Sequence, residues 1–474
     1  MNFKLHLVLI LFSLFTACNT LFASASDAPN ILIFVGDDMT YRDCGPYGNA
    51  DMVTPNIDRF ASEGMCFDSM YTSTAMCVPT RAQLWSGMYP VRGGCYPNHS
   101  QLYDEAKPLS LHLKELGYRV GAMGKKGSNP TPLYEFDWTS GMLKPETIEE
   151  ARQFIQADTD QPYMLWVGSN QPHTPYNTGD RSLYPANEIA VPPYMADTPE
   201  TRAELVKYYA EISELDREFG LFLQFVEDSG KADNTIVIFT SEQGSSIPFG
   251  GKWSCYENGL KTAWIMRWPG KIKPGTRTSA QTQYVDFAPT MIEIAGGDPA
   301  KASAGIPDAD GKITMDGKSF LSVMTGKSKK LRNHVFGCHT TIGVAGATEE
   351  GYGIRSVSDG KYKLIVNLQH ENTFSCANAR PNNQPLKSWR EADDTWANQR
   401  AAFYVNRPHR EFYKIEADPY ELENLIDKRK HAKRIAKLQS VLDEWMRQQG
   451  DLGIETELNG QYRLQRYIRS LNES

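Results

Sequence analysis

A cysteine stands at the start of a predicted helix in the stretch "STAMCVPTRAQLWSGMYP". Pro79 suits the first turn of a helix, and Gly87 suits the position after its last turn. The spacing predicts a short helix between these two residues, with Cys77 at or just before its N-cap. Arg81 then projects near Cys77, because residues four apart share a helical face. We predict a nucleophile beside an anion site at the helix N-terminus. The alternative is a buried structural cysteine.

Two pairs of side chains offer oxygen atoms to a cation. Asp37 and Asp38 end the run "NILIFVGDD", and Glu242 and Gln243 end "NTIVIFTSEQG". Oxygen ligands favour Ca²⁺ or Mg²⁺ over zinc or copper, and a divalent ion neutralises adjacent buried acids. An exposed turn is the alternative for the Asp-Asp pair taken alone. We predict one hard divalent cation, Ca²⁺ or Mg²⁺, held by these four residues.

Positive charge is predicted beside this ion. Arg81, Lys125 of "GYRVGAMGKK" and Lys252 suit a doubly bonded anion such as sulfate or phosphate. His173, in "QPYMLWVGSNQPHTPY", could protonate a leaving alcohol, with a purely structural histidine as the alternative.

The elements that must position these residues are strands of a parallel sheet. Each of the four segments is a short, continuous apolar run that ends in polar residues, as expected for strands buried on both faces. Helical patterns such as "TPNIDRFASEG" and "LSLHLKELG" lie between them. We predict an α/β fold with a mostly parallel sheet sandwiched by helices. All four polar clusters then meet beyond the carboxyl ends of the strands.

The 474 residues divide into three predicted parts. Residues 1–26 form a secretory signal, with cleavage either near "ASAS" or before a lipid-bearing Cys18. Residues 27–330 form the catalytic domain. Residues 331–474 form a smaller α+β domain with an antiparallel sheet and a final helix carrying Leu438, Val441, Leu442 and Trp445 on one face. We expect a secreted protein, either periplasmic or lipid-anchored at the cell surface, and in the second case the anchor at Cys18 is its only membrane contact.

Charge and cysteine content argue against a nucleic-acid-binding protein and against a cysteine-ligated zinc protein. The net charge of −7 argues against nucleic-acid binding. Seven cysteines besides Cys18 form no CxxC pair and no zinc spacing. Their odd number leaves at least one unpaired, and Cys77 is the candidate.

The sequence resembles the type I sulfatases of the alkaline phosphatase-like superfamily over nearly the whole mature chain. "CVPTR" matches their specific C/S-x-P-x-R signature, and "SGMYP" follows it. "PNILIFVGDDM" and "FTSEQG" are similar to the two metal strands, and "QPHTPY" to the histidine segment. "EADPYELENL" resembles the C-terminal "DPxExxNL" ending. "MGKKGSNPTPLYEFD" and "VPPYMADTPETRAEL" favour the sulfamidase (N-sulfoglucosamine sulfohydrolase) branch.

This resemblance implies a modified nucleophile. A maturation enzyme that recognises the proline and Arg81 would oxidise Cys77 to formylglycine, which is hydrated to a gem-diol. The resemblance implies one Ca²⁺, held by Asp37, Asp38, Glu242, Gln243 and the modified residue 77. One hydroxyl, held on this metal, would attack sulfur, and His173 would protonate the leaving group. The other hydroxyl would then expel sulfate. Lys252 falls on the family's sulfate-binding lysine or arginine.

Two departures from the family pattern stand out. Glu242 and Gln243 replace the usual Asp-Asn or Asp-His pair. The motif "GKxH" is "GKKG" here, so Gly127 replaces a histidine that contacts the formylglycine. Lys126, His99 or His339 could supply the missing group. His99 and His339 are also the predicted sugar contacts.

The predicted substrate is a sulfate ester, or an N-sulfate, on a sulfated oligo- or polysaccharide of algal or glycosaminoglycan origin, and the predicted role is degradation of that polysaccharide. A phosphodiesterase or phosphonate hydrolase of the same fold is one alternative. An inactive sugar-binding homologue, suggested by Gly127, is another.

Overall fold

The computed structural model describes residues 28–127, 131–348 and 350–473. The predicted signal segment and Cys18 lie outside these residues. The strands of the described part are β1 (Asn30–Gly36), β2 (Met65–Phe67), β3 (Met70–Tyr71), β4 (Arg119–Gly124), β5 (Trp138–Thr139), β6 (Tyr163–Gly168), β7 (Thr235–Ser241), β8 (Lys261–Thr262), β9 (Trp264–Arg267), β10 (Thr276–Thr278), β11 (Thr282–Gln283), β12 (Val335–His339), β13 (Ile354–Ser358), β14 (Lys363–Asn367) and β15 (Arg410–Tyr413).

The α-helices of the described part complete the element list. They are α1 (Pro55–Glu63), α2 (Cys77–Ser86), α3 (Pro90–Gly93), α4 (Leu109–Glu115), α5 (Pro145–Gln156), α6 (Pro199–Asp228), α7 (Glu257–Leu260), α8 (Phe287–Ile294), α9 (Leu321–Met324), α10 (Gln384–Glu391), α11 (Thr395–Val405), α12 (Ala432–Gln449) and α13 (Ile454–Glu473). None of the described helices combines the length and apolar character needed to cross a bilayer.

The large sheet has eight strands in the order β10-β2-β9-β7-β1-β6-β4-β5. The four strands predicted from apolar runs are its centre, β7-β1-β6-β4, and they pair in parallel. β9 pairs antiparallel with β7 and β2, so the sheet is mostly parallel, as predicted.

Both faces of this sheet are covered, because successive side chains of a strand point to opposite faces. Leu32 and Phe34 of β1 pack in one apolar cluster with residues of α6, and Ile31 and Ile33 pack in a second cluster with residues of α4 and α8. This arrangement confirms the predicted α/β sandwich.

A separate antiparallel sheet, β12-β13-β14-β15, forms the C-terminal part. Leu438, Leu442 and Trp445 of α12 are buried in a cluster with Val357 and Leu364 of this sheet. The predicted antiparallel sheet and its apolar helix are therefore present. The helix is not the last one, because α13 follows it.

Candidate active site

The carboxyl ends of β1 and β7 lie side by side, with Gly36 paired to Ser241. Asp37 and Asp38 directly follow β1, and both are fully buried. Asp38 has a φ of 72°, in the left-handed region that aspartate and asparagine adopt more readily than most residues. The chain therefore turns sharply at this edge of the sheet and places two carboxylates there, as the strand pattern predicted.

The helix α2 begins at Cys77 itself, two residues earlier than the sequence predicted, and ends at the left-handed Gly87. The Cys77 sulfur lies 3.4 Å from Asp37 Oδ1 and 3.9 Å from Asp38 Oδ1, so its single S–H can donate to either carboxylate. The nucleophile candidate thus lies at the N-terminal end of the helix, against both carboxylates. All seven described cysteines are free and buried.

The side chains at this edge fit a hard cation. Ligand atoms of Asp37, Asp38, Cys77 and His173 all lie within 4.8 Å of one another. Gln243 Nε2 donates to Asp38 Oδ1 at 2.7 Å. Gln243 Oε1 and Glu242 Oε2 are buried and accept no hydrogen bond in the described part of the chain, whereas Glu242 Oε1 is paired with Arg81. Buried oxygens without donors are suitable ligands for Ca²⁺, so the donor set fits the predicted ion.

Three cationic side chains surround the carboxylates. Lys125 contacts Asp37, and Lys252 Nζ donates to Asp38 Oδ2 at 2.5 Å. Arg81 contacts Glu242 and lies 3.7 Å from Asp37 Oδ2. Burial raises the pKa of Asp37, but the charges of Arg81 and Lys125 outweigh it and hold the pKa well below the ordinary 3.8. Burial lowers the pKa of Lys252, but Asp38 outweighs it and raises that pKa, so both groups stay ionised at neutral pH.

His173 completes the cluster. Its Nδ1 donates to the Thr174 carbonyl at 2.5 Å, and its Nε2 lies 3.7 Å from Asp38 Oδ2. Burial lowers the pKa of His173, but the Asp38 carboxylate and a hydrogen bond with Cys77 prevail and raise it above 6.5. The arrangement can therefore hold a protonated imidazole beside a nucleophile and a cation site.

Comparison with protein families identifies this arrangement. A model described as Sulfatase matches residues 29–297. The chain belongs to the sulfatase family. It is therefore a sulfuric ester hydrolase by family. A second model, the C-terminal region of N-sulphoglucosamine sulphohydrolase, matches residues 249–399 and confirms the resemblance to the sulfamidase branch.

Known proteins agree with this assignment. An ulvan-active sulfatase of Formosa agariphila is 29% identical over 91% of this chain and 82% of its own length. The human N-sulphoglucosamine sulphohydrolase is 26% identical over 88% of this chain and 89% of its own. A solved structure of a protein in complex with its substrate D-glucosamine-2-N,6-O-disulfate has the same fold, with a TM-score of 0.67 and 20% identity over 90% of this chain and 99% of that one.

The side chains that sequence analysis singled out do not all converge. Cys77, Arg81, Lys125, His173, Lys252 and the two oxygen-bearing pairs lie together, as described above. His339 is fully buried beside Phe374, with no exposed surface for a sugar, and Lys126 Nζ is turned to the Ser140 carbonyl. His99 is exposed. The structure therefore does not support His339 as a sugar contact, nor His339 or Lys126 as the replacement for the histidine missing at Gly127.

Sequence analysis missed the residues that hold the His173 segment in this sulfatase. Ser169 Oγ donates to the buried Glu218 carboxylate of α6 at 2.6 Å and accepts from the Gln171 N–H at 2.9 Å. The Gln171 carbonyl in turn accepts from the Asp37 N–H at 2.8 Å. Glu218 stands four residues before Phe222 on the apolar face of α6. An acidic residue on an apolar helix face was the sequence feature that could have identified it as a buried, bonded group.

Proposed function

We propose that this sulfatase hydrolyses sulfate esters, or N-sulfates, of a sulfated saccharide, using a formylglycine made from Cys77 and one bound Ca²⁺. The observation that carries the proposal is the position of Cys77. Its sulfur is within hydrogen-bond distance of two buried carboxylates that three cations flank. A structural cysteine needs none of these neighbours.

Each side chain has a role in this proposal. Asp37, Asp38, Glu242 and Gln243 would hold Ca²⁺, which supplies positive charge at the nucleophilic oxygen. When present, the hydrated aldehyde at position 77 supplies that oxygen and a second hydroxyl that releases sulfate.

The remaining residues act on the sulfate group and the leaving atom. Arg81, Lys125 and Lys252 are fixed positive charges for the sulfate oxygens as negative charge develops on them. His173, held by Thr174, donates its Nε2 proton to the leaving oxygen or nitrogen.

A saccharide substrate is supported by the relatives. They are named for ulvan and for N-sulphoglucosamine, and the similar solved structure holds a doubly sulfated glucosamine. We therefore expect this chain to act on a sulfated sugar, and we propose degradation of a sulfated polysaccharide as its role.

The test is a substrate survey with the protein produced alongside a maturation enzyme. The substrates are N-sulfated glucosamine, 6-O-sulfated glucosamine, ulvan oligosaccharides, nitrophenyl sulfate and bis(nitrophenyl) phosphate. We expect sulfate release from nitrophenyl sulfate and from at least one saccharide, with slower release of nitrophenol from the phosphodiester. Faster cleavage of the phosphodiester would instead support a phosphodiesterase.

Two measurements check the cofactors. Mass spectrometry of the peptide that contains Cys77 should show sulfur replaced by oxygen and two hydrogens lost. An unmodified thiol in fully active protein would contradict the formylglycine proposal. Chelation should abolish activity and Ca²⁺ should restore it, whereas full activity in chelator would contradict the ion site.

A further inference from the structure

A cavity of about 390 Å³ lies beside the loop that follows β1, and we call it the tyrosine cavity. Its described lining comes from residues 42–51, from residues 190–194 before α6, from Tyr209 of α6 and from Tyr420 after β15. This lining includes none of the residues assigned above to the cation, the sulfate group or the leaving atom. Ligand sites have volumes of roughly 300–1,000 Å³ and often lie where separate parts of a chain meet. The tyrosine cavity therefore has the size and the position of a ligand site.

Aromatic rings and prolines form the apolar part of its wall. They are Tyr47, Tyr194, Tyr209, Tyr420, Pro192 and Pro193. The ring centroids of Tyr194 and Tyr420 are 5.8 Å apart. The Tyr47 hydroxyl donates to the Trp264 carbonyl at 2.8 Å and accepts from the Trp264 N–H at 3.0 Å, which fixes this ring. Fixed aromatic rings offer apolar contact area at a low cost in entropy, and they suit the C–H face of a sugar ring.

Two polar groups of this wall have no partner among the described residues. Tyr194 is 1% exposed, and its hydroxyl makes no hydrogen bond there. Arg42 Nε is also buried without an acceptor, although Arg42 Nη2 donates to the Pro419 carbonyl at 2.8 Å. Buried polar groups in proteins are nearly always bonded, so both groups call for a partner of another kind. The hydroxyls of a sugar both donate and accept, and they would satisfy both groups.

The charges at the tyrosine cavity favour an uncharged ligand. Its ionisable acids and bases are Asp43, Asp51 and Arg42. The Arg42 guanidinium lies between two rings, 4.7 Å from the centroid of Tyr41 and 4.6 Å from that of Tyr420. Burial raises the pKa of Asp43 to about 6, so both carboxylates are ionised above neutral pH. Two carboxylates repel a sulfate or phosphate group, but they accept hydrogen bonds from neutral hydroxyls.

The tyrosine cavity is also near the catalytic cluster. Asp43 stands five residues after Asp38, and a chain of that length spans at most about 18 Å. The Tyr208 hydroxyl accepts from the Thr40 N–H at 2.9 Å and donates to Asp43 Oδ2 at 3.1 Å, which fixes the loop between the two sites. Tyr176, in the segment that carries His173, packs on the Tyr208 ring with centroids 5.7 Å apart. One oligosaccharide of a few units could therefore reach both sites.

We propose that the tyrosine cavity is a second saccharide subsite, which binds an uncharged sugar unit of the chain whose sulfate is removed at residue 77. Tyr194 contacts this unit through its hydroxyl. The inference rests on the proposed function for the identity of the polymer, whereas the binding itself requires no catalysis.

The test is calorimetric titration of the full chain with two probes, desulfated ulvan hexasaccharides and desulfated heparin hexasaccharides. Ala190→Trp should fill the cavity, because this exposed residue lines it and its bonded N–H, which donates to Asp51 Oδ2, is kept. Tyr194→Phe removes only a hydroxyl that has no described partner.

Each variant has a matched control outside the tyrosine cavity. Ala309→Trp adds the same side chain at an exposed alanine whose N–H is also bonded, to the Gln448 carbonyl. Tyr134→Phe removes another buried tyrosine hydroxyl that has no described partner.

We expect the wild type to bind at least one of the two hexasaccharides. Ala190→Trp should weaken that binding by more than about 10-fold and Tyr194→Phe by about 5-fold, whereas both controls should match the wild type. The rate on nitrophenyl sulfate should stay within about 2-fold in every variant. Ala190→Trp should slow sulfate release from the sulfated hexasaccharide, but not from the sulfated monosaccharide. If Ala190→Trp does not fold, Ala50→Trp, at another exposed lining residue, replaces it.

Three results would overturn the inference. They are the absence of binding of either hexasaccharide to the wild type, an unchanged affinity in Ala190→Trp, and an equal loss in the matched controls. An unchanged affinity in Tyr194→Phe would overturn the role of its hydroxyl. Failure of the proposed function is a separate result, in which the wild type releases sulfate from no ester, and the titrations still decide whether the cavity binds a saccharide.

Discussion

The ion pair that supports the C-terminal sheet and the charge cluster at the end of β1 are both buried, but their hydrogen bonding differs. Arg355 of β13 bonds both carboxylate oxygens of Asp451 and the carbonyls of His339 and Ile354. At the active site, Glu242 Oε2 and Gln243 Oε1 accept no hydrogen bond among the described residues, and Arg81 Nε donates none.

The difference follows from what each cluster has to do. A buried charge costs free energy unless its hydrogen bonds are made, so a complete set as at Arg355 suits a structural pair. Unpaired lone pairs and donors beside β1 are costly for folding, but they are what a cation and a sulfate group need. The contrast predicts that variants of one cluster lose activity and variants of the other lose stability.

The largest effect is expected for Cys77→Ala. Removing the nucleophile should abolish sulfate release from every substrate, while the thermal midpoint changes little, because only a small group at the edge of the core is lost. Activity assays and thermal unfolding measure the two quantities. Cys66→Ala, at a buried free cysteine of β2, is the control and should keep its activity. Residual turnover in Cys77→Ala would reject this residue as the nucleophile.

His173→Ala should lower the rate on sugar sulfates by about 10²–10⁴-fold. Nitrophenyl sulfate should lose much less, because its leaving group needs little protonation. The pKa of His173 is raised above 6.5, so the acid stays protonated beyond that pH. The wild-type rate on sugar sulfates should therefore fall as pH rises through this raised pKa. Steady-state pH profiles would show that limb, and the variant should lack it. Equal losses on both substrates would assign His173 to binding instead.

Arg355→Ala tests the structural ion pair between Arg355 and Asp451. Leaving Asp451 buried without its partner should destabilise the fold by about 3–5 kcal/mol, measured by denaturant unfolding. The rate on nitrophenyl sulfate per folded molecule should be unchanged. The control is Arg434→Ala, whose ion pair with Asp359 is partly exposed and should contribute less than about 1 kcal/mol. A similar small change in both variants would contradict the structural role of Arg355.

Glu218→Gln should give the smallest effect, a change in the pH dependence of stability. Burial raises the pKa of Glu218 from 4.5 to about 7. The folded state then binds more protons than the unfolded state between these values, so this contribution is present at low pH and lost as pH rises to about 7. The variant should be more stable than the wild type at pH 8, by up to about 3 kcal/mol.

Unfolding free energies at pH 5 and pH 8 provide the measurement for Glu218→Gln. Glu227→Gln, an exposed position on the same helix, is the control. Parallel pH curves for wild type and Glu218→Gln would show that this carboxyl does not titrate as proposed.

Much of the site was predictable because its signals are local. Continuous apolar runs identify the four central strands, and parallel strands place their carboxyl ends at one edge. Asp37, Lys125, His173 and Glu242 could therefore be grouped from the sequence. The prediction for His339 failed because strand parity places its side chain in the core, and an isolated histidine does not reveal which face it takes.

The sequence by itself determined the sheet, the motif around Cys77 and the residue types at the edge of β1, since strand and helix periodicity depend on neighbours along the chain. Only the tertiary structure decided what supports them. In the part of α13 whose side chains are described, Ile454 and Leu458 are exposed, whereas Glu457 and Arg463 are buried. These buried side chains bond loops that are distant in sequence, and such partners come together only when the chain is folded.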